Sequence, residues 1–176
     1  MRHLCCILLA GSLLISGCFS GRSRGNSIKI QGAGSTFVNP LMQKWVHEFG
    51  ALEPGIKIDY QSIGSGGGIK QIREKTIQFG ATDIAMSDAD LAAAPGALLH
   101  IPVIMGAVVL TYNLEGVSQN LRFSPATIAD IFLGKINRWD DERIKADNPG
   151  VALPSAEVTV VHRSDGSGTS AVFTNY

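Results

Sequence analysis

The segment His162-Arg163-Ser164-Asp165-Gly166-Ser167-Gly168-Thr169-Ser170 follows a β-branched run, Val158-Thr159-Val160-Val161, and opens what its spacing predicts to be a helix. A junction of that kind can hold an oxyanion. Free backbone N–H groups project from a helix N-terminus, the macrodipole adds partial positive charge there, and Ser167 and Thr169 contribute hydroxyl donors without net charge. Arg163 supplies a planar fork of N–H donors, and Asp165, two residues on, is spaced to orient that fork. Taken alone, the segment is equally an ordinary strand-to-helix turn closed by a Ser/Thr cap.

Two further junctions share this make-up. Gly34 to Phe37 and Gly64 to Gly68 each set Ser or Thr beside Gly between an expected strand and an expected helix. In an open α/β sheet, ligands gather where the carboxyl ends of strands meet helix N-termini. Glycine lets backbone amides approach closely, and each hydroxyl can donate to an oxygen. Three such junctions, if convergent, could surround a tetrahedral oxyanion with no bound cation.

Asp83, expected at the end of a third short strand, is the odd member. A carboxylate repels an anion, and more strongly as water is excluded. It becomes useful when the ligand carries a proton, because it can then accept a hydrogen bond from the ligand's O–H. Phosphate near neutral pH keeps at least one such proton; sulfate keeps none and would set lone pairs against lone pairs. Leaving that contact unpaired in a dry site costs about 1–3 kcal/mol for a neutral group and more for a charged one, enough to discriminate. By spacing alone Asp83 also reads as a solvated strand-end acid or as a cap for the next helix.

The elements that must position these groups alternate strand and helix, which predicts an α/β fold with parallel sheets and helices on their faces. Ser27 to Gln31 is an expected strand, followed by a helix from about Pro40 to Phe49 with Leu41, Trp45, Val46 and Phe49 inward; Ile56 to Gln61 is a second strand, and Ile69, Ile72 and Ile77 mark the next helix. A third strand lies within Phe79 to Met86, and Ser87 is the candidate cap of a brief helix reaching Ala94. Leu98 to Tyr112 is nearly all apolar and reads as one or two buried strands. Ser124-Pro125 starts a helix with Ile128, Ile131 and Phe132 on its apolar face, which Gly134 ends. A short helix is expected within Trp139 to Ala146, a turn at Asn148-Pro149-Gly150, and a last strand at Val158 to His162.

The N-terminus is of a different kind. Met1-Arg2-His3 precedes an uncharged run from Leu4 to Ile15, too short to span a bilayer as a stable helix, so residues 1–17 read as a secretory signal. Leu14-Ile15-Ser16-Gly17-Cys18 resembles the lipobox of bacterial lipoproteins, which implies that Cys18 receives diacylglycerol and becomes the mature N-terminus. Cys5 and Cys6 would leave with the signal, so no thiol would remain for a disulfide, a metal site or a nucleophile. Residues 18–27 form a polar, flexible tether. The whole chain of 176 residues is formally neutral; removing the signal takes away Arg2 and no acid, leaving 14 basic against 15 acidic residues. That balance gives no support to a nucleic-acid or polybasic membrane partner, and any anion site must work by directed donors. Residues 28 onward suit one domain by length, yet Thr169 to Tyr176 has helical spacing without a C-terminal stop signal and reads as cut inside a helix.

Five stretches then converge on a family: Gly32-Ala33-Gly34-Ser35-Thr36-Phe37, Ile63 to Ile72, Phe79-Gly80-Ala81-Thr82-Asp83, Leu133-Gly134-Lys135-Ile136 with Trp139-Asp140-Asp141, and Arg163 to Ser170. Their order and content resemble the PstS family, the phosphate-binding proteins of bacterial high-affinity phosphate ABC transporters. The resemblance implies a two-lobed periplasmic-binding-protein fold that closes over dehydrated inorganic phosphate and delivers it to the permease subunits, with no enzymatic step, metal or cofactor. By matching position, it implies ligand contacts from Thr36, Phe37 (through its backbone N–H), Ser65 and Asp83 in a first lobe, residues 28–102. A second lobe, residues 103–176, would contribute Arg163, Ser167, Gly168 and Thr169, with Asp165 pairing Arg163. Leu133 to Asp141 is then scaffold, with Trp139 a packing residue. Family members continue for a comparable length again, so the chain is expected to hold an incomplete version of the fold. Its expected location is the cell envelope, as an exported lipoprotein held to a membrane through Cys18.

Three other classes fit less well. A dinucleotide enzyme would need Gly where Phe37 stands, and Gly64 to Gly68 lacks the Gly-Lys-Ser/Thr of a phosphate loop. A secreted serine hydrolase would use Ser65 or Ser167 with His162, but neither serine stands in Gly-x-Ser-x-Gly. A receptor for sulfate or molybdate is opposed mainly by Asp83.

Overall fold

The computed structural model describes residues 27–176; the expected signal, Cys18 and all of the tether but Ser27 lie outside the described residues. Three parallel strands form the sheet: β1 (Ile28–Gly34) lies between β2 (Ile56–Ser62) and β3 (Phe79–Ala81). The register runs from Ile28 opposite Ile56 to Gly34 opposite Ser62, and from Gly32 opposite Phe79 to Gly34 opposite Ala81. Helix α1 (Asn39–Leu52) connects β1 to β2, and α2 (Ser65–Arg73) crosses from β2 to β3 on the other side of β1. The first connection steps one way and the second the other, so the strand order reverses between the paired strands β1 and β3, and the loops beyond their carboxyl ends lie at the place where ligands gather in such sheets. Burial follows the same direction. Along β1 the N-terminal residues are mostly exposed, whereas Gly32, Ala33 and Gly34 are buried.

Gly32 is opposite both Tyr60 and Phe79, and those two rings meet above it, 6.1 Å apart and 18° from parallel. A Cβ on residue 32 would lie inside the Phe79 ring. Tyr60 is 6% exposed and donates its hydroxyl to the carbonyl oxygen of Ser35 at 2.7 Å, tying β2 to the loop after β1. Val38, Ile77 and Met86 complete this small core with Ala33 and Tyr60.

The second part of the chain is held by caps and short polar ties. Beyond β3, α3 (Asp88–Ala92) is capped by Ser87, whose hydroxyl oxygen accepts from Asp90 N–H at 3.1 Å. Helix α4 (Pro125–Phe132) starts as its sequence predicts, with Ser124 accepting from Thr127 N–H and proline in the first turn; Gly134, at φ +71°, ends it. Helix α5 (Glu142–Asp147) is capped by Asp141 and leads into Asn148. That side chain accepts from Arg122 N–H at 2.7 Å and donates to the carbonyls of Arg122 and Ile144 at 2.8 and 2.9 Å. Ile136 and Ile144 are fully buried, while Tyr112, Phe123 and Trp139 form a ring cluster with centroids 5.9–6.4 Å apart. Trp139 is thus a packing residue, as expected. Helix α6 (Gly168–Thr174) meets α4 through Phe173 and Phe132, 4.7 Å apart.

Two expected strands do not form. The run from Leu98 to Tyr112 forms no strand, and Leu99, Ile101, Met105 and Val109 are at least 70% exposed. Apolar composition signals burial, but a strand also needs a neighbouring backbone to close its hydrogen bonds, and among the described residues none is paired with this run. Val158 to His162 begins a pairing, with Val158 N–H donating to the carbonyl of Asn137 and a single bridge between Arg138 and Glu157, then departs with Val161 exposed. The face of α1 expected inward is only partly covered: Trp45 and Phe49 remain 44% and 37% exposed.

Asn148→Ala should lower unfolding free energy by about 1–3 kcal/mol, because it strands the Arg122 and Ile144 backbone groups without partners; urea denaturation showing a loss under about 0.5 kcal/mol contradicts that role. Burial, and secondly the negative charge of Asp83, push the Tyr60 phenol up to about 12. Its folded value lies above its unfolded value of about 10, so its contribution is complete below pH 10 and lost as pH rises from 10 towards 12. Thermal melts across that window should therefore fall more steeply for the parent chain than for Tyr60→Phe; parallel curves contradict the assignment.

Candidate functional site

The region beyond the carboxyl ends of β1 and β3 gathers hydroxyl groups from three loops. Ser35, the first residue after β1, accepts from Phe37 N–H at 3.0 Å and from Val38 N–H at 3.4 Å, and its own hydroxyl donates to Asp83 Oδ1. Thr36 Oγ1 accepts from Arg163 Nη1 at 2.7 Å. Ser65, at the start of α2, accepts from Asp83 N–H at 3.2 Å. Ser167 caps α6 by accepting from Ser170 N–H at 3.2 Å. For Thr36, Ser65 and Ser167 the consequence is the same: an N–H group occupies a lone pair, and no described residue accepts the hydroxyl proton.

Arg163 is oriented as its spacing predicts. Its Nε donates to Asp165 Oδ1 at 2.7 Å and its Nη2 to Asp165 Oδ2, while Nη1 reaches Thr36. Of five N–H donors, two remain uncommitted, one on each terminal nitrogen. This pairing raises the Arg163 pKa and holds the Asp165 carboxyl below its ordinary value. A backbone bond from Gly66 N–H to the Gly166 carbonyl, at 2.8 Å, fastens the two loops together.

Asp83 is not the cap of α3, since Ser87 does that, nor is it a solvated strand end. Its Oδ1 is occupied by Ser35, and Thr169 Oγ1 donates to Oδ2 at 3.4 Å. Gly168 packs directly on it: a Cβ there would come within 2.6 Å of Asp83 Oδ2 and closer still to Ser65 Oγ. One guanidinium therefore faces two carboxylates, so the site offers no net positive charge. It offers directed protons.

Of the residues expected from sequence, direct contacts join Thr36, Arg163 and Asp165 in one group and Ser65, Asp83, Gly168 and Thr169 in another, with Ser35, bonded to Asp83 and adjacent to Thr36, between them and Ser167 as the cap immediately before Gly168. Phe37 stands beside them, but its N–H is taken by Ser35 Oγ and its ring is 44% exposed. Ser35 escaped the sequence reading of single residues. The signal was present in Gly34-Ser35-Thr36, where a serine two residues before an amide can close a turn. His162 Nδ1 lies 3.1 Å from the Arg163 carbonyl oxygen, and among the described residues no serine hydroxyl is hydrogen-bonded to a histidine, so no nucleophile–base pair is assembled.

A PBP superfamily domain model matches residues 20–176. Among curated relatives, the phosphate-binding protein PstS of Xylella fastidiosa is 46% identical over 151 residues, covering 85% of this chain and 41% of the relative. The phosphate-binding protein PstS of Methanocaldococcus jannaschii is 38% identical over 182 residues, covering 96% and 47%. The chain spans about half the length of the curated relatives it matches. A solved structure from Clostridium perfringens, described as a putative phosphate ABC transporter substrate-binding protein with bound phosphate, shares the fold at a TM-score of 0.58 and 24% identity, over 84% of this chain and 55% of that one. With the family match running from Ser20 to Tyr176, the chain belongs to the PBP superfamily.

Proposed function

We propose that this chain receives inorganic phosphate for an ABC importer and passes it to the permease subunits in the membrane. The observation that carries this reading is that Asp83, a carboxylate acceptor whose Oδ2 takes only a 3.4 Å bond from Thr169, lies at a junction where Thr36, Ser65 and Ser167 each keep a hydroxyl proton that no described residue accepts. A guest fitting that pattern is rich in acceptors and carries one proton. Phosphate near neutral pH has that composition, and sulfate does not. The relatives named phosphate-binding protein support the same substrate.

In this reading Thr36, Phe37, Ser65 and Asp83 belong to a first lobe of residues 28–102, and Arg163, Ser167, Gly168 and Thr169 to a second of residues 103–176. The two uncommitted N–H groups of Arg163 bind phosphate oxygens, and Asp165 holds the guanidinium plane in place. Thr169 moves its proton from Asp83 to the ligand as the ligand's own O–H takes its place on Oδ2. The protein works in the cell envelope, exported by residues 1–17 and tethered to a membrane through lipid on Cys18. It binds and releases its ligand unchanged, without cofactor, metal or nucleic acid.

Isothermal titration of the purified mature chain should show heat with phosphate and none with sulfate at equal ionic strength. Asp83→Asn should narrow that preference by roughly tenfold or more, since an amide can donate to an unprotonated oxygen and so removes the penalty of about 1–3 kcal/mol. Absence of heat with phosphate contradicts the proposed substrate, and an unchanged preference in Asp83→Asn removes Asp83 from the selecting role.

A further inference from the structure

Ser35 is 1% exposed and every hydrogen-bonding position of its hydroxyl is assigned. The oxygen accepts two amides at the approach to α1, Phe37 N–H and Val38 N–H, which fills both lone pairs. The remaining proton lies against Asp83 Oδ1. The backbone of residue 35 is anchored as well, by the Tyr60 hydroxyl donating to the Ser35 carbonyl. A hydroxyl filled in this way can only donate, so Asp83 must meet it as an acceptor. Occupation of Oδ1 has a second effect: it fixes the carboxylate plane and leaves Oδ2 as the oxygen turned towards Ser65, Gly168 and Thr169.

We propose that Ser35 is the positioning residue of anion selection: by pinning Asp83 through Oδ1 it presents Oδ2 as a lone-pair acceptor, and so sets the discrimination between protonated and unprotonated tetrahedral oxyanions. The inference rests on the phosphate reading above and extends it to a residue that touches no ligand. A purely structural Ser35 would shape the β1–α1 loop through its oxygen alone, as acceptor of the Phe37 and Val38 amides. Selection uses its proton. Loss of the turn would weaken every anion alike, whereas loss of the proton changes the ratio between anions and does so only through Asp83.

The test is titration with phosphate and with sulfate of the parent chain, Ser35→Ala, the near-isosteric Ser35→Cys with its weak donor, Asp83→Asn, and the double variant Ser35→Ala/Asp83→Asn. Ser35→Ala should reduce the phosphate-to-sulfate preference by about tenfold, Ser35→Cys should shift it in the same direction, and the double variant should match Asp83→Asn within about twofold, because residues acting as one unit are not additive. Should Ser35→Ala fail to fold, the ratio in Ser35→Cys decides. A preserved ratio in the folded serine variants, or a double variant whose loss is the product of the two single losses, overturns the positioning role while leaving the phosphate reading intact. A parent chain that gives no heat with phosphate overturns both.

Discussion

Asp83 places a negative charge among groups arranged to donate, and the surrounding structure exists in a form that tolerates it. Near neutrality phosphate and sulfate carry similar charge, so Coulomb repulsion from Asp83, about 4 kcal/mol at 4 Å for an effective dielectric constant of 20, acts on both almost alike and separates neither. The difference is the proton. A guest that brings one converts the approach to Oδ2 into a charge-assisted hydrogen bond, and a guest without one leaves two lone pairs opposed. Thr36, Ser65 and Ser167 each have one lone pair engaged by an N–H group and a hydroxyl proton that no described residue accepts, so each is left with a proton to donate.

The fold supplies this arrangement at one place. The strand order β2-β1-β3 sets the carboxyl ends of β1 and β3 side by side, so that Ser35 and Asp83 emerge next to each other. The rings of Tyr60 and Phe79 close over Gly32 beneath, and Tyr60 reaches forward to the Ser35 carbonyl. Packing below the site and hydrogen bonding within it are therefore continuous. On the other side, Arg163 is oriented by Asp165 from its own loop, and α6 begins with Ser167, Gly168 and Thr169 against Asp83. The charge of Arg163 is offset by Asp165, so what the guanidinium presents is directed N–H groups rather than net charge.

Much of this was legible in the residues. Local signals were reliable where the physics is local: Ser124 with Pro125, Ser87, and the Gly-Ser/Thr junctions after β1 and β2 appear where their chemistry predicts, Ser167 caps its helix although the strand expected before it does not form, and the parallel strands follow from the alternation of elements. Signals that depend on distant partners were not readable. Ser35 gains its role from a residue 48 positions away, and nothing in its neighbourhood announces that its proton is committed to Asp83. The apolar run at Leu98 to Tyr112 announces burial, but strand formation is a property of pairs of segments. Trp45 and Phe49 show the same limit, since helical spacing defines a face without defining what covers it.

Hydrogen positions decide between a donor cage with a single acceptor and a generic polar cleft. Neutron diffraction from phosphate-soaked crystals exchanged into heavy water observes them directly. The expected map places deuterons of Thr36, Ser65 and Ser167 on phosphate oxygens, that of Ser35 on Asp83 Oδ1, and one phosphate deuteron between the ligand and Oδ2. Hydroxyl deuterons turned away from the ligand, or a deuteron carried by Asp83 itself and donated outward, would contradict it.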